Sequence, residues 1–347
     1  MSQLTTLAWT GRALRLLDQT QLPRRVQTLT CRDASSVFAA IRRLSVRGAP
    51  AIGVAGAFGA YLGVAAYSGK DRAGFIKRLD RVCRYLNRSR PTARNLSWAL
   101  ARMQKVPKQF PKEDASSLKR RLLKEAQAIF GEEEETCERM AQFGSSLVRK
   151  GDAVLTHCNS GFLATVGIGT ALGVLYQAHR EGKRPRVYAT ETRPLFQGSR
   201  LTVWELRRHG LRPTLLCEGA AGELFRRGKI QKVFTGADRI AANGDTANKV
   251  GTFPLALLAK TYRVPFYIVA PASTFDLSIQ NGSQIPIEER PAKEVTTPFG
   301  VAVAPPKVLV FNPAFDVTPA SLISAFVTDR GILRPPYRRT FAKAFHK

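Results

Sequence analysis

The sequence predicts an α/β protein: a parallel sheet with helices on both faces, preceded by a smaller, mainly helical domain that opens on short strands. Three observations carry this. After Gly151, apolar runs at 153–156, 187–190, 214–217, 233–235, 266–270 and 308–311 alternate with helical segments at 163–180, 197–209, 220–227 and 253–262. Repeated β–α units of that length call for a parallel sheet. Before Gly151 the texture is helical, and a length of 347 residues suggests about two domains at roughly 150 residues each. The boundary is therefore expected near 145–150, giving residues 1–148 and 149–347.

Taken in order, residues 1–30 read as short strands, with Leu14, Leu16 and Leu17, a turn at Leu22-Pro23, and an extended run from Val26 to Cys31. Asp33 is a good N-cap for a helix over 34–44. Arg47-Gly48-Ala49-Pro50 follows: Gly48 permits a tight turn, Pro50 suits a first helical turn, and Arg47 with backbone N–H groups could meet an anion. Ala49 to Gly69 carries no charge over a length that could span a bilayer, but its Ala and Gly content favours a buried helix between other helices. Helical patterning over 71–104 breaks at Ser89-Arg90-Pro91-Thr92. Residues 105–118 read as a surface connection, and 117–149 as a long helix pair with Leu122, Ile129, Met140, Phe143 and Leu147 facing inward. The acidic run Glu132 to Glu135 reads as a solvated helix face.

Composition narrows the function classes. Lys and Arg total 54 against 26 Asp and Glu, a net charge of +28 and a pI near 10.7. Such a balance raises nucleic-acid contact, yet the basic residues are scattered, with no basic tail and no aromatic-interleaved RNA motif. Five cysteines without a C-x-x-C pair build neither a disulfide framework nor a zinc knuckle, which fits a reducing cytoplasm. Four histidines make a His-based metal site unexpected. No secretory signal is read at the N-terminus. Neither G-x-G-x-x-G after a strand nor G-x-x-x-x-G-K-[ST] occurs, so nicotinamide and nucleoside-triphosphate chemistry lack support.

The candidate site starts at 153–169, AVLTHCNSGFLATVGIG. A strand over 153–156 hands over through Cys158, Asn159 and Ser160 to a helix expected from about Gly161. Ligands bind beyond the carboxyl ends of strands in open α/β sheets, and a helix N-terminus there would lower a thiol pKa. Residues following the other strands share that rim: Glu191, Gln197, Glu218, Asp238 and, further on, Asn248 and Lys249. Cys158 and Asp238 on one rim suggest an acid and a base on opposite sides of a small substrate. His157 adjoins Cys158, but consecutive residues of extended chain face opposite ways, so it is not the expected partner of the thiol.

Six motifs stand in order: Arg47-Gly48-Ala49-Pro50-Ala51-Ile52-Gly53, Arg90-Pro91-Thr92, THCNSG at 156–161, TETRPLFQGSRLTVWEL at 190–206, GADRIAANGDTANKVGT at 236–252 and NPAFDVTP at 312–319. With LRLLDQTQLP at 14–23, they resemble the methylthioribose-1-phosphate isomerases over nearly the whole chain. The wider family also holds ribose-1,5-bisphosphate isomerases and the noncatalytic regulatory subunits of the eukaryotic translation-initiation guanine-nucleotide exchange factor. The resemblance implies a Rossmann-like C-terminal domain, a homodimer, and a cofactor-free, metal-free aldose-to-ketose conversion of a small phosphorylated sugar in methionine salvage. It assigns catalysis to Cys158 and Asp238, and substrate contacts to Arg47, Gly48, Ala49, Arg90, Gln197, Asn248 and Lys249. Ser160, Ser199 and Val203 depart from the family's usual residues without removing a functional group.

The chemistry is consistent with that pair. With its C1 oxygen phosphorylated, the sugar cannot open to a free aldehyde, so the ring oxygen must be protonated and the hydrogen leaving C2 must be managed. A dry pocket would raise the Asp238 pKa towards the working range. Three other readings compete, one of them nucleic-acid binding through the basic surface, which a steep loss of binding with added salt would mark. A ribose-1,5-bisphosphate isomerase needs a second phosphate site, and the LRLLDQT opening argues against it. A noncatalytic sugar-phosphate or nucleotide sensor has no need of both Cys158 and Asp238.

Overall fold

The computed structural model describes residues 4–69 and 71–345; Met1–Gln3, with the start of the N-terminal reading, Lys70, His346 and Lys347 lie outside the described residues. The chain divides into two compact units, one of residues 1–136 with 162–167, the other of residues 137–161 with 168–347.

The first unit opens on β1 (Leu7–Trp9), β2 (Leu14–Leu17) and β3 (Thr28–Cys31), an antiparallel meander in which Leu7 faces Leu16 and Leu14 faces Cys31. Helix α1 (Ala34–Arg42) begins at Asp33, whose carboxylate accepts from the Ser36 amide while Ser36 accepts from the Asp33 amide, the reciprocal cap that settles two orphan donors. Helix α2 (Ala49–Ala65) is buried from Ala49 to Ala60. Its small residues let neighbours close in: Leu96 lies against Gly56, Val37 against Gly59 and Val82 against Gly63. No helix of the described residues is long and apolar enough to cross a membrane. Helices α3 (Arg72–Asn87) and α4 (Arg94–Gln109) flank it, separated at Arg90-Pro91-Thr92 as expected. Helix α4 runs on through Pro107, so the connection to the next helix is shorter than 105–118. Arg72 donates to the carbonyls of Pro107 in the last turn of α4, of Phe110 at its C-cap and of Glu113 in the connection that follows, satisfying acceptors that the helix end leaves open.

Helix α5 (Ala115–Ser145) is one helix of 31 residues, where a pair was expected. Gly131 faces open space, so it costs only propensity, and nothing else in the segment breaks the backbone. Leu122, Ile129 and Met140 are buried as expected; Phe143 is exposed.

In the second unit, β4 (Ala153–Thr156), α6 (Ala171–Arg180), β5 (Arg186–Thr190), α7 (Val203–Arg208), β6 (Thr214–Leu216), α8 (Ala221–Arg226) and β7 (Lys232–Thr235) are followed by β8 (Arg239–Ala241), β9 (Thr246–Lys249), α9 (Thr252–Thr261) and β10 (Phe266–Val269). Then come β11 (Phe275–Asp276), the single turn α10 (Lys293–Thr296), β12 (Phe315–Thr318), β13 (Ala325–Thr328), β14 (Gly331–Leu333) and α11 (Tyr337–Phe345). The main sheet has the order β14-β13-β10-β7-β4-β5-β6; every pair in it is parallel except β13–β14. A smaller sheet, β11-β8-β9-β12, stands beside it. Val154, Leu155, Val233, Phe234, Ile268 and Phe326 are fully buried between the helices on the two faces, as strands covered on both sides must be.

Two expectations fail here. Residues 308–311 form no strand; Leu309 is 98% and Phe311 82% exposed, and the sheet instead takes β13 from further on. An apolar run becomes a strand only with an edge to pair with, and 308–311 finds none. Nor does a helix start near Gly161. Phe162–Ala164 is a single 3-10 turn, and α6 begins only at Ala171. A Cβ at Gly161 would lie 1.9 Å from the Glu205 carboxylate, so the chain at this point is moulded around a buried side chain. The helix N-terminus expected immediately behind Cys158 is therefore absent.

Candidate active site

Cys158 lies two residues beyond β4 and Asp238 three beyond β7, at the same ends of neighbouring parallel strands whose register sets Thr156 opposite Phe234. Between the loops, a Cβ at Gly236 would meet that of Ser160 at 3.3 Å. The Asp238 amide donates to the Ala247 carbonyl at 2.9 Å, which sets Asn248 and Lys249 beside it. Of the expected rim, Cys158 and Asn159 follow β4, Glu191 follows β5, Glu218 follows β6 and Asp238 follows β7, with Gln197 seven residues beyond β5, whereas Asn248 and Lys249 lie on β9 of the smaller sheet.

Cys158 is part-buried and has φ of 61°, a left-handed conformation that costs a non-glycine residue about 1 kcal/mol or more and persists only when its surroundings hold it. They do: its amide donates to Thr192 Oγ1 at 2.9 Å and its carbonyl accepts from Thr202 Oγ1 at 2.6 Å. Thr192, itself at φ 65°, has its amide held by the Glu218 carboxylate. Asn159 is buried and donates to Glu205 Oε1 at 2.7 Å, so its amide is spent on the loop. Glu205, on α7, also accepts from the Tyr176 hydroxyl.

His157 is fully buried, with Nδ1 2.7 Å from Thr190 Oγ1 and Nε2 2.9 Å from the Val250 carbonyl. A carbonyl only accepts, so Nε2 carries the hydrogen and Nδ1 accepts from the threonine. Burial pushes the imidazole down to about 4, keeping it neutral. Both nitrogens are engaged away from the thiol, which bears out its exclusion as the base.

Gln197 is buried, and its Oε1 has no hydrogen-bond partner among the described residues. The same is true of Thr156 Oγ1, Ser160 Oγ and Thr235 Oγ1, all on the rim of β4 and β7. Buried polar atoms are rarely left unpaired in folded proteins, and a polyhydroxylated ligand offers partners for such a set. Asn248 donates to Thr252 Oγ1 at 2.9 Å. Lys249 donates from Nζ to the Ala314 carbonyl at 2.6 Å and lies over the Phe315 ring. Burial, then the charge of Glu218, pushes the Glu191 carboxyl up.

The remaining predicted contacts belong to the first unit. Arg47 is buried and donates from Nε to Gln19 Oε1 at 3.0 Å; Gln19 in turn donates to the Leu163 carbonyl. Gly48, at φ 90°, is the N-cap of α2, and a Cβ there would lie 2.5 Å from the Ala164 backbone. No side chain caps α2, which leaves its first amides, Ala49 among them, available to an anion. Arg90 lies in the turn before α4, where its carbonyl accepts from the Ala93 amide. Sequence reasoning gave no role to Thr190, Thr192, Thr202 and Asp316, whose hydroxyls and carboxylate hold the site although they lie within the quoted motifs; nothing local to a threonine signals which distant backbone group it will bond. Among the described residues no group of three or more His, Cys, Asp or Glu could hold a metal ion.

Residues 45–335 match the Initiation factor 2 subunit family. The chain is 51% identical over 341 residues to a methylthioribose-1-phosphate isomerase of Pelotomaculum thermopropionicum, covering 98% of this chain and 94% of that one. Among solved structures, 5-methylthioribose 1-phosphate isomerase from Pyrococcus horikoshii is 38% identical with a TM-score of 0.91, over 99% of this chain and 96% of that one. A chain described as the translation initiation factor eIF-2B, subunit delta, from A. fulgidus is 39% identical with a TM-score of 0.86, over 99% of each chain. The chain belongs to the initiation factor 2 subunit family, among its methylthioribose-1-phosphate isomerases.

Proposed function

We propose that the protein converts 5-methylthioribose 1-phosphate to 5-methylthioribulose 1-phosphate by acid–base chemistry at Cys158 and Asp238. The observation that carries the reading is the position of those two residues just beyond the same ends of the neighbouring parallel strands β4 and β7. The reaction opens the ring at the C1–O4 bond, gives O4 a proton, moves a hydrogen from C2 to C1, and takes the proton from the C2 hydroxyl as the ketone forms. Cys158, as a thiol, assists ring opening or proton delivery, and Asp238 shuttles a proton between the two carbons; a C2-to-C1 hydride shift satisfies the same balance. Arg47, Arg90 and Lys249 are assigned to the phosphate, Gly48 and Ala49 offer amides, and Gln197 and Asn248 meet sugar hydroxyls. The uncapped start of α2 and the unpaired Gln197 oxygen support these roles. A place in methionine salvage, a homodimer and a cytoplasmic location belong to the same proposal.

The test is incubation with 5-methylthioribose 1-phosphate, following the ketose by NMR. Cys158→Ser and Asp238→Asn should each lower kcat by about 100-fold or more. Absence of turnover by the wild type, or undiminished turnover in both variants, refutes the reading. In D2O, deuterium at C1 of the product indicates the proton route. The A. fulgidus chain bears a translation-factor description, but the presence of both Cys158 and Asp238 here favours catalysis.

A further inference from the structure

Cys158 is held in its left-handed conformation through one hydrogen bond to Thr192 on one side and one from Thr202 on the other. The Thr192 bond is the end of a longer chain. Thr190 Oγ1 gives its hydrogen to His157 Nδ1 at 2.7 Å, which leaves its lone pairs facing the Thr192 hydroxyl 3.2 Å away. Thr192 Oγ1, donating towards Thr190 Oγ1 or the Thr190 carbonyl 3.3 Å away, keeps a lone pair for the Cys158 amide. At the other end, His157 Nε2–H is fixed by the Val250 carbonyl. The turn carrying that carbonyl is itself pinned: Asp316 Oδ2 on β12 accepts from the amides of Gly251, at 2.7 Å, and Phe253, at 3.1 Å. His157, Thr190 and Thr192 are completely buried, so water does not substitute for a missing member.

We infer that His157, Thr190 and Thr192 are positioning residues: a buried hydrogen-bond relay, anchored on the turn after β9 by Asp316, that orients the backbone of Cys158 and so aims its thiol. The order of donors is set by the two ends, the Val250 carbonyl, which can only accept, and the Cys158 amide, which can only donate. Because the same turn follows Asn248 and Lys249, the relay couples the placement of the thiol to that of the proposed substrate contacts. The inference rests on the proposed isomerase reading for its kinetic consequence, but not for its structural one.

The experiment compares Thr192→Val, which removes the acceptor while keeping the shape, with Thr192→Ser, which keeps the hydroxyl, and with Thr190→Val, which breaks the relay one step away from Cys158. Thr192→Val and Thr190→Val should each lower kcat by about 10- to 100-fold, as a misplacement of about 1 Å does, with KM within about twofold. Thr192→Ser should recover most of kcat. The double Val variant should be little worse than Thr192→Val alone, because members in series do not add. Hydrogen exchange read by mass spectrometry on a peptide spanning the end of β4 reports the Cys158 amide without reference to turnover; its protection should fall at least 10-fold in Thr192→Val. Unchanged protection and kcat in both Val variants overturn the inference, as does a kcat loss in Thr192→Ser equal to that in Thr192→Val. Should the Val variants fail to fold, exchange of the wild-type Cys158 amide at the rate of an exposed loop amide overturns it equally. If the wild type turns over no 5-methylthioribose 1-phosphate, the isomerase reading fails while the exchange measurement still decides the relay.

Discussion

Acidification is the perturbation that isolates His157. In the unfolded chain its imidazole takes up a proton near pH 6.5; in the native state burial holds it at about 4. Between those values the unfolded state binds more protons, so His157 contributes stability that is present above 6.5 and lost as pH falls towards 4. Every pH unit crossed inside that window removes about 1.4 kcal/mol, which makes the loss between pH 7.5 and 4.5 about 2–3 kcal/mol. Asp316 works in the opposite direction, since burial raises it to about 6 and the native state gains a proton there as pH falls. The wild-type curve alone therefore blends the two. Urea unfolding of wild type and His157→Gln at pH 7.5 and 4.5 separates them: the variant is less stable at pH 7.5, and the gap should shrink by about 2–3 kcal/mol at pH 4.5. An equal gap at both values would refute the assignment of a buried, neutral His157.

Two substitutions test close approaches. Gly161→Ala places a Cβ 1.9 Å from the Glu205 carboxylate, which must then move away from Asn159; stability should drop by about 2 kcal/mol, and kcat in the isomerase assay should fall with it. A Gly161→Ala enzyme with wild-type stability and rate would mean that Glu205 yields freely. Gly48→Ala combines a positive φ of 90° with a contact of 2.5 Å to the Ala164 backbone. Backbone cannot rotate aside as a side chain can, so a loss of about 2–4 kcal/mol is expected, read as a lower urea midpoint.

Much of this protein is visible in its sequence because local rules agree there with the tertiary outcome. The runs at 153–156, 187–190, 233–235 and 266–270 become strands since they are short, apolar and separated by amphipathic helices. Asp33 caps α1 through its own turn, and the small-residue content of 49–65 marks α2 as a helix among helices. The placing of Cys158 and Asp238 at the same ends of β4 and β7 follows from parallel connectivity alone, whereas Asn248 and Lys249 are set by the antiparallel β9 of the smaller sheet. What fails locally fails because the deciding partner is distant in sequence. Nothing in 308–311 says that no strand edge is available to it, nor does 117–149 show that α5 continues unbroken. Gly161 avoids a helix because Glu205, more than forty positions later, occupies the space where its side chain would stand. The left-handed Cys158 likewise depends on Thr192 and Thr202, and the neutral His157 on Val250. Such hydrogen bonds join loops from different strands, and only the packed sheet brings their donors and acceptors within 3 Å.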